Sequence, residues 1–149
     1  MIARQWIASI LLLSIMLTGC SSEDDPQAQI EAMLAQAVAA AEDRDTGDVL
    51  AFVDDNFSDN YDHSKAELKR MLQGYFLANQ QINIFTLIDE ITMTGRDSAE
   101  VILSLATTGR PVNEEDWTAF KADMQQLTLS VVRDGDDWKV LHAQWQNRY

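Results

Sequence analysis

Helical spacing before residue 80 and strand spacing after it predict an α+β fold, a helical layer packed against an antiparallel sheet. Three observations carry the prediction. Ile30, Leu34, Ala37, Val38 and Ala41 recur at the interval of one helix face. Ser64-Lys65-Ala66-Glu67 is a capping box, in which serine hydroxyl and glutamate carboxylate reciprocally satisfy free backbone N–H groups at a helix start. Asp134-Gly135, set between alternating apolar runs, is favoured chemistry for a two-residue type I′ hairpin.

The first helix is expected from about 27 to 43. Asp45 reads as an N-cap with Asp48 three positions on, opening a short second helix over Val49, Leu50, Phe52 and Val53. Asp43, Asp45 and Asp48 resemble a calcium loop only superficially: its fifth position would be Gly47, which has no side-chain oxygen, and no glutamate stands at the twelfth. The third helix carries Leu68, Met71, Leu72, Tyr75 and Phe76 as its apolar stripe, with Tyr61-Asp62-His63 leading into it. Residues 82–94, 98–108, about 123–133 and 136–146 are expected as strands. Asn113 to Met124 has a short amphipathic pattern with Trp117 and Phe120 on one side, suited to a crossover on the rim of the core or to a lid or partner-binding element.

A hairpin turn sets a register, and the register sets the faces. With Arg133 opposite Asp136, Val131 faces Trp138, Leu129 faces Val140, Leu127 faces His142 and Gln125 faces Gln144. Leu127, Leu129, Val131, Trp138 and Val140 then form a core face that also carries His142. The opposite face is polar in its middle, with Met124, Leu141 and Trp145 gathered at one end, a cluster suited to a homodimer contact. For the preceding hairpin, a three-residue loop Gly95-Arg96-Asp97 pairs Met93 with Ala99, Ile91 with Val101, Asp89 with Leu103, Leu87 with Leu105 and Phe85 with Thr107. A two-residue turn patterns less well, because it sets Glu100 and Ser104 opposite Ile91 and Leu87.

The odd loop places Asp89 on an apolar face. Asp89 and His142 are therefore the candidate catalytic pair: a carboxyl on an apolar face has a raised pKa, and a neighbouring imidazole could exchange protons with it. The competing expectations are a β-bulge near Ile88-Asp89-Glu90 that turns Asp89 to solvent, and a core histidine bonded to a backbone carbonyl. A cavity on this face would have Tyr75, Phe85 and Leu127 as apolar wall, with Asp89, Gln125, His142 and Gln144 as polar groups.

Charge narrows the partners. The chain has 11 basic and 24 acidic residues, a net charge of −13. Such a surface repels phosphate backbones and anionic headgroups, so nucleic acid is not an expected partner and the membrane is met through acyl chains only. Two histidines in the whole chain, His63 and His142, give no metal-ligand spacing, and no Gly-rich phosphate loop or Gly-x-Ser-x-Gly elbow is present. No metal or cofactor is expected.

The N-terminal segment supplies an address. Arg4 is a positive start, and Trp6 to Leu17 form an apolar run of twelve residues, the length of a signal-peptide core and too short to span a bilayer. Leu17-Thr18-Gly19-Cys20 resembles the bacterial lipobox, and it contains the chain's one cysteine. The resemblance implies cleavage before Cys20 and its lipidation, with residues 1–19 as signal peptide and 20–26 as a tether of roughly 25 Å at most. Ser21 resembles the class sorted to the outer membrane, which would place the protein on that membrane's periplasmic face. Losing Arg4 with the signal leaves ten basic residues and takes the net charge to −14 over 130 residues, enough for one domain. With Cys20 lipidated no internal disulfide can form.

The order of elements, Arg44-Asp45 leading into Val49-Leu50-Ala51-Phe52-Val53-Asp54-Asp55-Asn56-Phe57, and Gly135-Asp136-Asp137-Trp138-Lys139-Val140-Leu141-His142 resemble the nuclear-transport-factor-2-like superfamily over residues 27–149. That superfamily includes polyketide-cyclase-like and ketosteroid-isomerase-like proteins. The resemblance implies a curved sheet wrapping its helices into a cone-shaped layer with an open pocket, and dimers formed through the outer sheet face. It does not settle function, since the fold hosts enzymes and binders alike. The isomerases place an oxyanion-donating tyrosine on the first helix, and here that helix has none, so isomerase chemistry is not carried over. The chain is accordingly expected to be a non-catalytic, lipid-anchored periplasmic binding module for a small apolar ligand or a protein. The alternatives are a small proton-transfer enzyme using Asp89 and His142, and a dimeric structural component of the envelope.

Overall fold

The computed structural model describes residues 25–111 and 123–147. Their elements are α1 (Pro26–Glu42), α2 (Thr46–Ala51), β1 (Val53–Asp59), α3 (Lys65–Ala78), β2 (Asn79–Met93), β3 (Ser98–Pro111), β4 (Asp123–Asp134) and β5 (Asp137–Asn147). The signal segment, Cys20 and the tether up to Asp24 lie outside the described residues. So does the amphipathic segment from Asn113, apart from Asp123 and Met124, which open β4 as strand.

Local chemistry accounts for the helix ends. Asp25 caps α1 by accepting from the Gln27 N–H at 3.0 Å, with Pro26 at the first helical position, where its missing N–H costs nothing. The helix stops at Arg44, whose φ of 59° is left-handed. Its guanidinium donates to the Asn79 carbonyl at 3.2 Å, a tertiary bond at a position where many helices use glycine. Asp45 caps α2 through the Asp48 N–H at 2.9 Å, as the spacing predicts. At α3 both bonds of the capping box form: Ser64 N–H to Glu67 at 2.8 Å, and Glu67 N–H to the Ser64 hydroxyl at 3.4 Å. The first of these bonds is the main cause holding the Glu67 carboxyl below its ordinary range.

The sheet is five-stranded in the order β1-β5-β4-β3-β2. It is mixed, not wholly antiparallel, because β1 runs parallel to β5. Sequence periodicity carried the second helix on to Val53 and gave no strand there. The reason is local: Asp54, Asp55 and Asn56 interrupt the alternation between buried Val53 and Phe57, and the pairing with β5 is itself broken between Val53 and Ser58.

Two bulges correct the expected faces. In β2–β3 the three-residue loop holds, with Met93 opposite Ala99 and Ile91 opposite Val101, but Asp89 is an extra residue, so Ile88 and not Asp89 meets Leu103. In β4–β5 the turn sits one residue later than expected. Asp134 pairs with Asp137, Gly135 and Asp136 are the central residues, and only Gly135 has positive φ (64°), so the turn is not type I′. Leu141 is then an extra residue in β5, so Val131 meets Val140, Ser130 meets His142 and Leu127 meets Trp145.

The inner face nevertheless closes over one core. Val101, Leu103, Leu127, Leu129, Val131, Trp138 and Ala143 pack with Ile30 and Met33 of α1 and with Val53 and Phe57 of β1. Trp145 packs on this core and does not join an outer cluster with Leu141, as periodicity had placed it. Phe85 and Leu87 instead stand 65% exposed on the outer face of β2.

Candidate functional site

The bulges separate the expected pair. Asp89 is exposed and accepts from the Ser104 hydroxyl at 3.0 Å. His142 is half-buried on β5, its Nδ1 3.1 Å from Ser58 Oγ. Strands β4 and β3 lie between β5 and β2, so the two residues' strands are three spacings, roughly 14 Å, apart. They share no site and cannot exchange a proton directly. Of the expected pocket wall, Leu127 is core and Gln125 lies two residues away on the same face, half-buried. Phe85 and Gln144 face outward, because each lies beyond a bulge. Tyr75 is 40% exposed yet reaches the inner face at Gly109, where an added Cβ would come within 3.0 Å of its hydroxyl and 2.5 Å of Asn79 Oδ1.

Periodicity missed a different carboxylate–imidazole pair. Asp59, 5% exposed at the end of β1, accepts from His63 Nδ1 at 2.8 Å through one oxygen. Its other oxygen accepts from the Tyr61 and His63 backbone N–H groups, each at 2.9 Å. Burial pushes the Asp59 carboxyl up, but these two N–H groups and the His63 ring outweigh it and hold the carboxyl below its ordinary range. All three bonds close the turn between β1 and α3, in which Asp62 is left-handed at φ 63°. The sequence signal was the Asp-x-x-x-His spacing just ahead of the capping box; Tyr61-Asp62-His63 does lead into the helix, and Asp59 anchors it. Among the described residues no group of three or more His, Cys, Asp or Glu side chains could hold a metal ion.

A concavity formed by described residues lies elsewhere, between α1, the end of α2 and the β4–β5 turn. It is a cleft of about 590 Å3 walled by Ala28, Ala32, Met33, Ala51, Phe52 and Trp138, with Gln29, Gln36, Asp136 and Asp137 as its polar groups. Helical spacing places Ala28, Ala32 and Gln36 along one face of α1. Trp138 is fixed from two sides: its indole N–H donates to Gln29 Oε1 at 3.0 Å, and the Arg133 guanidinium lies 4.9 Å from its ring centre. Arg133 also donates to the same Gln29 oxygen at 2.8 Å. Gln29 thus fastens α1 to the hairpin and shapes the cleft floor.

The comparisons with known proteins agree with this architecture. No family model matches the sequence, and no curated protein matches it. Solved structures do match. A scytalone dehydratase-like protein from Novosphingobium aromaticivorans superposes with a TM-score of 0.75 at 15% identity, over 83% of this chain and 84% of that one. A ketosteroid isomerase-like protein from Erwinia carotovora atroseptica gives 0.64 at 16% identity, over 85% and 98%. A dehydratase-like protein of the NTF2-like family from Streptomyces avermitilis gives 0.67 at 17%, over 81% and 95%. Helices packed on an open, five-stranded mixed sheet, in this order and matched to these structures across most of their length, give the chain the nuclear-transport-factor-2-like α+β cone fold.

Proposed function

We propose that this domain is a non-catalytic binding module, held on the periplasmic face of the outer membrane by acyl chains on Cys20, with its ligand in the α1–hairpin cleft. The observation that carries the binding reading is the cleft itself: about 590 Å3, walled mainly by apolar residues, with Gln29, Gln36, Asp136 and Asp137 in its lining. Relatives of this fold named as dehydratases and isomerases exist, but the proton-transfer alternative needed Asp89 beside His142, and these residues stand on separated strands. Ala32 is exposed at the cleft wall, so Ala32→Trp should fill the cleft without disturbing the core. Mass spectrometry of small molecules that co-purify with the native protein tests the reading: a species retained by the wild type should be absent from Ala32→Trp. A species retained equally by both would move the site elsewhere.

The anchor rests on the lipobox-like tetrapeptide and the length of the apolar run before it. A fatty-acid analogue should label the wild type and not Cys20→Ala. A second reading, a homodimer through the outer sheet face, is favoured by Phe85 and Leu87, apolar side chains exposed side by side on β2. Sedimentation at micromolar concentration should give a dimer that Phe85→Asp dissociates.

A further inference from the structure

We infer that the cleft selects a positively charged amphiphile, a small organic ammonium with an apolar body, an inference that rests on the binding reading above. Charge is unbalanced at the cleft. The cleft's walls are apolar and its glutamines neutral, and its charged lining residues are Asp136 and Asp137 at the hairpin turn. Two cations lie near by, each within 4 Å of a carboxylate other than Asp136 and Asp137. Arg133 is 3.8 Å from Asp97, and Lys139 is 2.6 Å from Asp134. The bond to Asp134 is also the main cause raising the Lys139 pKa. Asp136 and Asp137, both exposed, have no side-chain partner among the described residues.

Two unpaired carboxylates beside an apolar recess repel an anion and attract a cation, and the protein's net charge of −13 adds to the field. An apolar body would bury against Ala28, Ala32, Met33 and Phe52 while the ammonium stays near the turn. The chain's own tether is a poor occupant, because Glu23 and Asp24 would bring two more negative charges to the same place.

The test uses the full-length chain in a non-ionic maltoside detergent at low salt. Three probes of matched shape are titrated by calorimetry against detergent blanks: 3-phenylpropyltrimethylammonium, 3-phenylpropanol and 3-phenylpropionate. The ammonium should bind about tenfold tighter than the alcohol, with the carboxylate weakest. The paired change Asp136→Asn and Asp137→Asn should bring the ammonium to within about threefold of the alcohol. Asp136 does not need a positive φ, so asparagine there leaves the turn intact. Ala32→Trp should abolish binding of all three, and Ala28→Phe, one turn earlier on the same wall, repeats that test if the first variant folds poorly.

If the alcohol binds as tightly as the ammonium, or the preference survives in the double variant, the charge inference fails and the cleft reading stands. If the probes bind the cleft-filling variants as well as the wild type, or none binds the wild type, both fail.

Discussion

The two hairpins of the sheet each contain an extra residue within ten positions of the turn, with different consequences. In β2 the bulge at Asp89 leaves Phe85 and Leu87 in water and Asp89 exposed. In β5 the bulge at Leu141 separates two stretches that both bury inward residues, Trp138 and Val140 before it and Ala143 and Trp145 after it. What differs is the neighbourhood. β5 is paired on both sides, whereas β2 is an edge strand with a single partner. On β2 the inward residues Ile82, Ile88 and Ile91 still meet the core, but the outward Phe85 and Leu87 lie on a strand with a single neighbour and stay in water.

Truncating one aromatic residue from each strand tests this difference. Trp138→Ala removes a 3% exposed side chain together with its bond to Gln29 and its contact with Arg133, and should cost about 3–5 kcal/mol in chemical denaturation. Phe85→Ala, at 65% exposure, should cost about 0.5 kcal/mol or less in the monomer. Comparable losses would mean that β2 is covered as well as β5.

The next effect concerns β1, the strand that gives β5 its second neighbour. Asp59 has a folded-state pKa held below the ordinary carboxylate value. A depressed pKa contributes stability that is fully present above the unfolded pKa, about 3.9, and lost as the pH falls through the folded-state value. Asp59→Asn should therefore destabilise by about 1–3 kcal/mol at neutral pH, with the gap to wild type closing below about pH 4. Urea midpoints measured across that range check it, and a gap independent of pH would show that the negative charge is not what the three hydrogen bonds need.

The turns themselves differ too. Gly135 has a φ of 64°, so Gly135→Val should cost about 1–3 kcal/mol. Gly95 has no left-handed φ, and an added Cβ would meet only the Ser98 hydroxyl, at 2.7 Å, so Gly95→Ala should cost less. Thermal unfolding of the two variants ranks them. The smallest effect belongs to Asp89→Asn, which keeps the contact with Ser104 and should shift stability by less than about 0.5 kcal/mol. A larger shift would mean that the Asp89 charge has a partner beyond Ser104.

Much of this was legible in the residues. Caps at Asp45 and Ser64 depend on atoms three positions apart, and both form as read. The odd loop at Gly95-Arg96-Asp97 and the burial of Leu127, Leu129, Val131 and Trp138 follow from alternation within a few residues of a turn. The candidate site was not legible. Its cleft joins Ala32 of α1 to Trp138 of β5 across more than a hundred residues, through a glutamine whose sequence neighbours carry no hint of that role.

Sequence alone determined the helix starts, the order of the elements apart from β1, and the burial of Leu127, Leu129, Val131 and Trp138, because those depend on hydrogen bonds and periodicities a few residues long. Tertiary structure decided which face Asp89 and His142 occupy, that Val53 leaves the helix to open a strand at an edge of the sheet, and where a cleft opens. One bulge residue reverses every side chain beyond it, and a bulge is selected by what the neighbouring strand and the core beneath it will accept.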